Sequence, residues 1–412
     1  MAAGAGSCTA VERDGLLMVR VHPKAHGGRR RPPGWVPRVV LLIESSRSSG
    51  RSLLRGIANY AHHHGPWAFY WEPRGLEKAW PRIQTIEADG FILRDVKQLE
   101  NVLSRGLPTV VVGHSKQEIP EIVNVITDSE TIGKMAAEHL LSRGFREFAF
   151  CGFDGIPWSE LRGESFRQRL VEAGHDAHFY QTTPESAGWQ TELTKMARWL
   201  KSLPKPVGLM AANDDRGEQV IEACKVTGIR VPDEVAVIGV DNDELVCELS
   251  DPPMSSIALN FERAGYESAG VLDLLMRGKV VKGKKILVAA THIVTRRSSD
   301  ILAVADQHVA AALQFIRDHA REMIGVPDVA KIAGISRRSL EKRFQETLRR
   351  SVLSEIRRIR VNQICRMLVE TNRPISEIAV ALGYTGPEHI ARYFRRETGT
   401  TPLAYRRKFG QK

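Results

Sequence analysis

No stretch of the 412 residues approaches the ~18 consecutive apolar residues that a membrane helix needs. Cysteine is scarce. Cys8, Cys151, Cys224, Cys247 and Cys365 are scattered, odd in number and form no Cys-x-x-Cys. That usage speaks against a disulfide scaffold and a zinc site and fits a reducing compartment. The N-terminus, MAAGAGSCTAVERDGLLMVRV, lacks a charged start followed by an apolar core of about 7–15 residues, so no secretory signal is expected. No GxGxxG, GxxxxGK[ST] or GxSxG follows a candidate strand, so dinucleotide, phosphate-loop and hydrolase sites lack their motifs. His62-His63-His64 precedes Gly65-Pro66 and reads as a solvated helix end. Neither a nucleophile–base set nor a metal-spaced cluster is evident, so no catalytic residue, metal or cofactor is expected.

What is present is an uneven charge. The chain carries a formal +11, and residues 306–412 hold 21 Lys and Arg against 11 Asp and Glu. Residues 38–305 hold 32 against 35, and residues 1–37 hold 6 against 2. A small basic module beside a near-neutral large one points to a polyanion partner at the C-terminal end.

Residues 1–37 read as a disordered basic extension, rich in Pro, Gly and Arg over HPKAHGGRRRPPGWVP. From Arg38 the pattern changes. Short apolar runs (RVVLLIE, WAFYWE, GFIL, TVVVG, NVITD, EFAFCGF, VGLMA, VAVIGVD) alternate with amphipathic helical stretches as far as about residue 242. Such alternation predicts βαβ units and parallel sheets. About nine strands exceed one compact sheet, so two lobes are expected, followed by an all-helical region from residue 301.

Ligands of such sheets bind beyond the carboxyl ends of the strands. Polar residues follow the apolar runs there: Glu44-Ser45-Ser46, Glu72, Arg94-Asp95, Asp128, Asn213-Asp214 and Asp241-Asn242. Each alone reads better as a helix N-cap; six together predict a lined cleft.

The basic end holds a repeat. Asp328-Val329-Ala330-x-x-x-Gly334 is matched by Glu377-Ile378-Ala379-x-x-x-Gly383, and Leu340 and Phe344 by Ile390 and Phe394. Each copy is a short helix, a glycine turn requiring positive φ, and a second helix. That is the helix-turn-helix layout, whose second helix enters the major groove. With Leu340, Phe344, Ile390 and Phe394 inward, the base-facing candidates are Arg337, Arg338, Glu341 and Lys342 in the first copy, and Glu388, His389 and Arg392 in the second. Arg349-Arg350, Arg395-Arg396 and Arg406-Arg407 suit phosphates. A helix with Leu353, Ile356, Ile364 and Leu368 joins the copies. DNA is the partner this predicts.

The stretch PISEIAVALGYTGPEHIARYFRRETGTTPLAYRR (374–407) resembles the AraC/XylS-type DNA-binding domain, with Gly386 where Ser is usual. Residues 38–300 resemble the sugar-binding core of LacI/GalR repressors, itself like periplasmic sugar-binding proteins. The matching pieces are DSETIGKMAAEHLLSRGF, RGESF, AANDDRG, VPDEVAVIGVDNDEL and PPMSSIALNFERAG. The two together resemble the xylose-operon regulators of enteric bacteria.

The resemblance implies a two-lobed periplasmic-binding-protein-like α/β domain (38–300) and an all-helical double helix-turn-helix domain (301–412). It implies a monosaccharide effector, xylose first and another pentose or hexose second, held by Arg162, Asn213, Asp214, Asp241 and, more weakly, Asp128. Trp71 and Trp158 offer faces for stacking on a sugar. It further implies a cytoplasmic homodimer that activates transcription with RNA polymerase, with sugar closing the lobes. A transport-linked sugar-binding protein and an α/β enzyme with a helical appendage are the rival readings.

Overall fold

The computed structural model describes the backbone of residues 11–13 and 16–18, and residues 34–73, 83, 85–95, 99–113, 119–182, 188–279, 281, 283–301, 303, 304 and 306–410. In the N-terminal extension, where no strand was expected, β1 (Val11–Arg13) and β2 (Leu16–Met18) pair antiparallel, Val11 opposite Met18. Asp14-Gly15, a dipeptide favouring two-residue hairpin turns, lies between them in sequence. The Pro-, Gly- and Arg-rich stretch 19–33 and the polar helix expected between 73 and 89 fall wholly or largely outside the described residues.

Two units divide the chain. One comprises Met1–Ile126 and Ala264–Leu287, the other Thr127–Arg263 and Val288–Lys412. The return of the chain to the first unit was not foreseen. It is carried by the helix Phe261–Met276 and the strand that follows.

The first unit has a six-stranded sheet in the order β4 (Ala68–Trp71), β3 (Arg38–Leu42), β5 (Gly90–Arg94), β6 (Thr109–Val112), β7 (Val123–Thr127), β13 (Lys285–Val288), with β3 to β7 parallel. The second has the order β9 (His178–Thr182), β8 (Glu147–Phe153), β10 (Val207–Ala211), β11 (Val235–Asp241), β12 (Ser255–Leu259), β14 (Ala290–Val294), parallel except for β14, which runs antiparallel to β12. Within each sheet the second strand in sequence sits outside the first. In such doubly wound sheets the strand order switches between the first strand and the third, and ligands bind at that point.

The inner apolar runs form strands covered on both faces, β10 being buried throughout, whereas the edge strand β4 is largely exposed. Leu140, Phe166 and Leu170, from the helices Ser129–Leu141 and Pro157–Glu172, pack on one face of the second sheet. Met196, Leu200, Val220 and Ile221, from Trp189–Ser202 and Asp214–Thr227, pack on the other. β12 gave no apolar signal because it opens with Ser255 and Ser256, both fully buried.

The region after residue 306 is all helical: Gln307–Asp318, Val326–Ile332, Arg337–Leu348, Val352–Glu370, Ile375–Ala381, Pro387–Thr398 and Pro402–Phe409. It has two cores. Val309, Leu313, Leu340, Phe344 and Ile356 build the first; Ile364, Leu368, Ile378, Ile390 and Phe394 build the second. The helix Val352–Glu370 gives its first half to one core and its second half to the other. Among the described residues no helix is long and apolar enough to cross a membrane.

Candidate functional site

Beyond the carboxyl ends of β8, β10 and β11 lies a cluster built around Arg162. Its side chain is 3% exposed. Nη1 donates to the Ala212 carbonyl at 2.5 Å, directly after β10. Nη2 lies 3.9 Å from Asp241 Oδ1 at the end of β11. The guanidinium stacks on Trp158, 4.7 Å from the ring centroid, and Phe153 meets that ring edge-on at 6.0 Å. Nε is buried and has no hydrogen-bond partner within the chain. Burial pulls the guanidinium below its ordinary pKa, and Asp241 and Asp214 oppose that pull. An aromatic face beside a carboxylate and a guanidinium with a spare donor is the chemistry that binds vicinal hydroxyls.

Of the other expected contacts, Asn213 and Asp214 follow β10 in this sheet and Asp128 follows β7 of the other sheet; Asp128 and Asn213 are engaged as caps. Asp128 accepts from the Thr131 N–H at 3.2 Å and Asn213 from the Arg216 N–H at 2.9 Å. The two readings of these strand ends are compatible, because a cap uses one oxygen. Asp214 needs correction: it is 3% exposed and both oxygens are occupied inside the chain. Oδ2 accepts from the Asp243 N–H at 2.7 Å and Oδ1 from the Ser256 hydroxyl at 2.5 Å. Burial, then the nearby Asp241 charge, push its carboxyl well above the usual range, against the Ser256, Asp243 and Cys247 donors.

Sequence reasoning missed Arg216. It is 2% exposed, pairs with Glu192 at 2.9 Å, donates to Gln219 and Thr182, and lies 5.0 Å from the Phe153 ring. An arginine in AANDDRG carries no signal of burial, since arginine is mostly a surface residue. In the first unit, Glu72 and Asp95 are buried at the ends of their strands and Arg94 Nη2 donates to Ser49 at 3.4 Å. Trp71 is half exposed, with its indole N–H on the Ile43 carbonyl. His62-His63-His64 closes the helix Ser48–His64, and Tyr60 stacks on His64. Among the described residues no three metal-ligating side chains gather.

The helical region places most expected DNA-facing residues outward. Gly334 and Gly383 have φ of 68° and 74°, the left-handed turn each copy requires. Ser336 caps its helix through the Ser339 N–H at 3.2 Å. Leu340, Phe344, Ile390 and Phe394 are fully buried. Arg337, Arg338 and Lys342 are exposed, as are Glu388, His389 and Arg392. Glu341 is not: it is half-buried and accepts from the Val352 N–H at 3.2 Å, fixing the start of the joining helix. Three arginines assigned to phosphate are also engaged. Arg350 pairs with the buried Glu355 at 3.1 Å, Arg396 with Glu397 at 2.9 Å, and Arg406 Nε donates to the Leu368 carbonyl at 3.3 Å. Arg349, Arg395 and Arg407 stay exposed.

The helices are bonded to the second α/β sheet within one unit. His292 on β14 donates to Glu370 at 2.9 Å, Tyr405 to the Thr291 carbonyl at 3.3 Å, and Asn260 to the Phe409 carbonyl at 2.8 Å. Arg146 donates to the Thr347 carbonyl at 3.1 Å. RRSSD (296–300) lies at this seam. Asp300 lies between Arg143 and Arg317, at 3.9 and 3.6 Å. Ser299 receives the His139 Nε2–H at 2.7 Å and passes its own proton to Ser255 at 2.8 Å.

Residues 137–299 match the periplasmic binding protein-like domain family and residues 329–408 the helix-turn-helix domain family. The chain is 32% identical to the xylose operon regulatory protein of Escherichia coli K12 over 384 residues, 90% of this chain and 96% of that one. It is 28% identical to the protein of that name from Haemophilus influenzae, over 90% and 98% of the two chains. It is similar to the solved structure of the xylose-binding transcription activator xylR, with a TM-score of 0.58 and 29% identity, over 92% of this chain and all of that one. The cellobiose complex of the regulator CelR shares the fold, with a TM-score of 0.53 over 65% of this chain.

Proposed function

The chain belongs to the family of xylose operon regulatory proteins, sugar-responsive DNA-binding transcription regulators, and on that premise we propose that its effector is a pentose, D-xylose first. The observation that carries the reading is the Arg162 guanidinium, held against Trp158 with Asp241 beside it and its buried Nε–H without an acceptor in the chain. A sugar ring supplies acceptor oxygens for the arginine, further donors to the Asp241 carboxylate and a C–H face for the indole. Asn213 keeps its amide N–H groups for the sugar while its oxygen caps the helix, and Asp128 has a second oxygen to offer. A charged, directional donor set that loses its partner is costly, so epimers that misplace one hydroxyl are discriminated.

On the DNA side, Arg337, Arg338 and Lys342 read one major-groove segment, and Glu388, His389 and Arg392 the next. The joining helix has 19 residues, or about 28 Å at 1.5 Å per residue, comparable with the ~34 Å of one duplex turn. Arg349, Arg395 and Arg407 hold phosphates. The regulator acts as a homodimer, in the cytoplasm where its DNA is, and activates by engaging RNA polymerase; the likeness to the xylose-binding transcription activator supports activation. Residues 38–300 serve as the effector domain and 301–412 as the DNA-binding domain.

Calorimetry of the full chain against D-xylose, D-ribose, L-arabinose and D-glucose tests the effector. Saturable binding of a pentose is expected; silence toward all four overturns the reading.

A further inference from the structure

Asp241 and Asn242 end β11 in a conformation that side chains resist. Their φ angles are 107° and 49°, both in the region glycine favours, and neither is glycine. Backbone of this kind persists only where its surroundings over-determine it, and it concentrates at functional sites. Here the constraint comes from one buried carboxylate. Asp214 Oδ2 accepts the Asp243 N–H at 2.7 Å. Asp214 Oδ1 accepts the Ser256 hydroxyl at 2.5 Å, and Ser256 Oγ in turn accepts the Asn242 N–H at 3.0 Å. The two amides after Asp241 are thus tied to the same side chain, one directly and one through a serine. The turn is also held from outside, by Arg296 Nη1 on Asn242 Oδ1 at 3.0 Å.

The carboxylate's place is reserved by the strand below it. A Cβ on Gly239 would lie 2.3 Å from Asp214 Oδ1, so only glycine admits the acid there. Asp214 itself starts the helix that Asn213 caps, which fixes its backbone.

We propose that Asp214 is a positioning residue: it makes no sugar contact, and it locks the Asp241–Asn242 turn so that the Asp241 carboxylate stands beside Arg162. This rests on the sugar-site reading for what Asp241 does, but not for how the turn is held.

Two measurements on the full chain test it. Asp214→Asn keeps the shape but leaves one acceptor oxygen where the Asp243 N–H and the Ser256 hydroxyl converge, beside the Cys247 thiol. Amide hydrogen exchange at Asn242 and Asp243, read without sugar, is expected to accelerate about tenfold or more in Asp214→Asn, and at Asn242 in Ser256→Ala, with no change in Arg162→Ala. Unchanged protection in both Asp214→Asn and Ser256→Ala overturns the proposal whatever the sugar proves to be. Ser256→Ala decides alone if Asp214→Asn does not fold. The second measurement is a double-mutant cycle on D-xylose affinity. If Asp214 acts only through Asp241, Asp214→Asn/Asp241→Asn binds no worse than Asp241→Asn. Losses that multiply mark a direct contact and overturn it. Failure of the parent chain to bind any pentose sinks the effector reading and leaves amide exchange to decide this one.

Discussion

His292, on the edge strand of the second α/β sheet, donates a 2.9 Å hydrogen bond to Glu370, the last residue of the helix that joins the two helix-turn-helix copies. The Glu370 carboxyl is pushed up by burial, but His292 and Arg366 outweigh that and hold it below the usual range. β14 pairs with β12, and β12 carries Ser256, the serine bonded to Asp214. A short run of hydrogen bonds and one strand pairing therefore connects the Asp241–Asn242 turn to the helix that joins the two helix-turn-helix copies. His292→Ala is expected to keep its sugar affinity in calorimetry while the sugar-dependent change in DNA affinity, about 5-fold or more for ordinary coupling, shrinks toward none. An undiminished change would place the coupling elsewhere.

Arg162→Ala removes a charge-assisted donor set at the centre of the proposed effector site. Hydrogen bonds to charged groups contribute about 1.5–3 kcal/mol each, so sugar affinity is expected to fall by at least ~10-fold. Calorimetry against D-xylose checks it; parental affinity would remove Arg162 from the site.

The two classes of basic residue separate by readout. Arg338→Ala should cost about 1–3 kcal/mol on the preferred duplex and relax preference at one base position, seen by selection from a random pool. Arg395→Ala should weaken all duplexes alike and reduce the slope of log affinity against log salt by about one.

His139 predicts acid sensitivity. Burial is the largest cause holding its pKa well below the ordinary value, and Arg143, Arg317 and Arg358 add to it. Arg143 donates to Nδ1 and Nε2–H donates to Ser299, so the neutral ring is satisfied on both sides. The unfolded chain takes up a proton below about pH 6.5 that the folded chain refuses. Stability is therefore lost as pH falls from there, by about 1.4 kcal/mol per unit. Denaturant unfolding of the parent and of His139→Asn between pH 7 and 5 checks this; the variant's curve should be flatter.

The α/β alternation was legible as far as VIGVDN because the inner strands there are apolar runs covered on both faces, while the edge strands β4 and β9 are exposed or half-buried. It failed afterwards because β12 begins with two serines whose hydroxyls are satisfied by Arg296, Asp214 and the RRSSD seam. The helix that follows then leaves for the other unit. Arg162 and Asp241 stood out in the sequence because strand-end position and family likeness agreed, and the structure sets them 3.9 Å apart. Asp214 and Glu341 were misplaced because a sequence gives a residue's position on its element but not which backbone amide will claim its carboxylate. Arg216 was missed for the converse reason, a buried charge that looks solvated.

The central claim is that a sugar held at Arg162 and Asp241 governs DNA binding by the two helix-turn-helix copies. The direct measurement is the affinity of the full chain for a duplex selected in vitro, with and without saturating D-xylose, paired with its D-xylose affinity with and without that duplex. The account predicts that both shift by the same factor, about 5-fold or more. Affinities unchanged by the other ligand, with each ligand still bound, would contradict it.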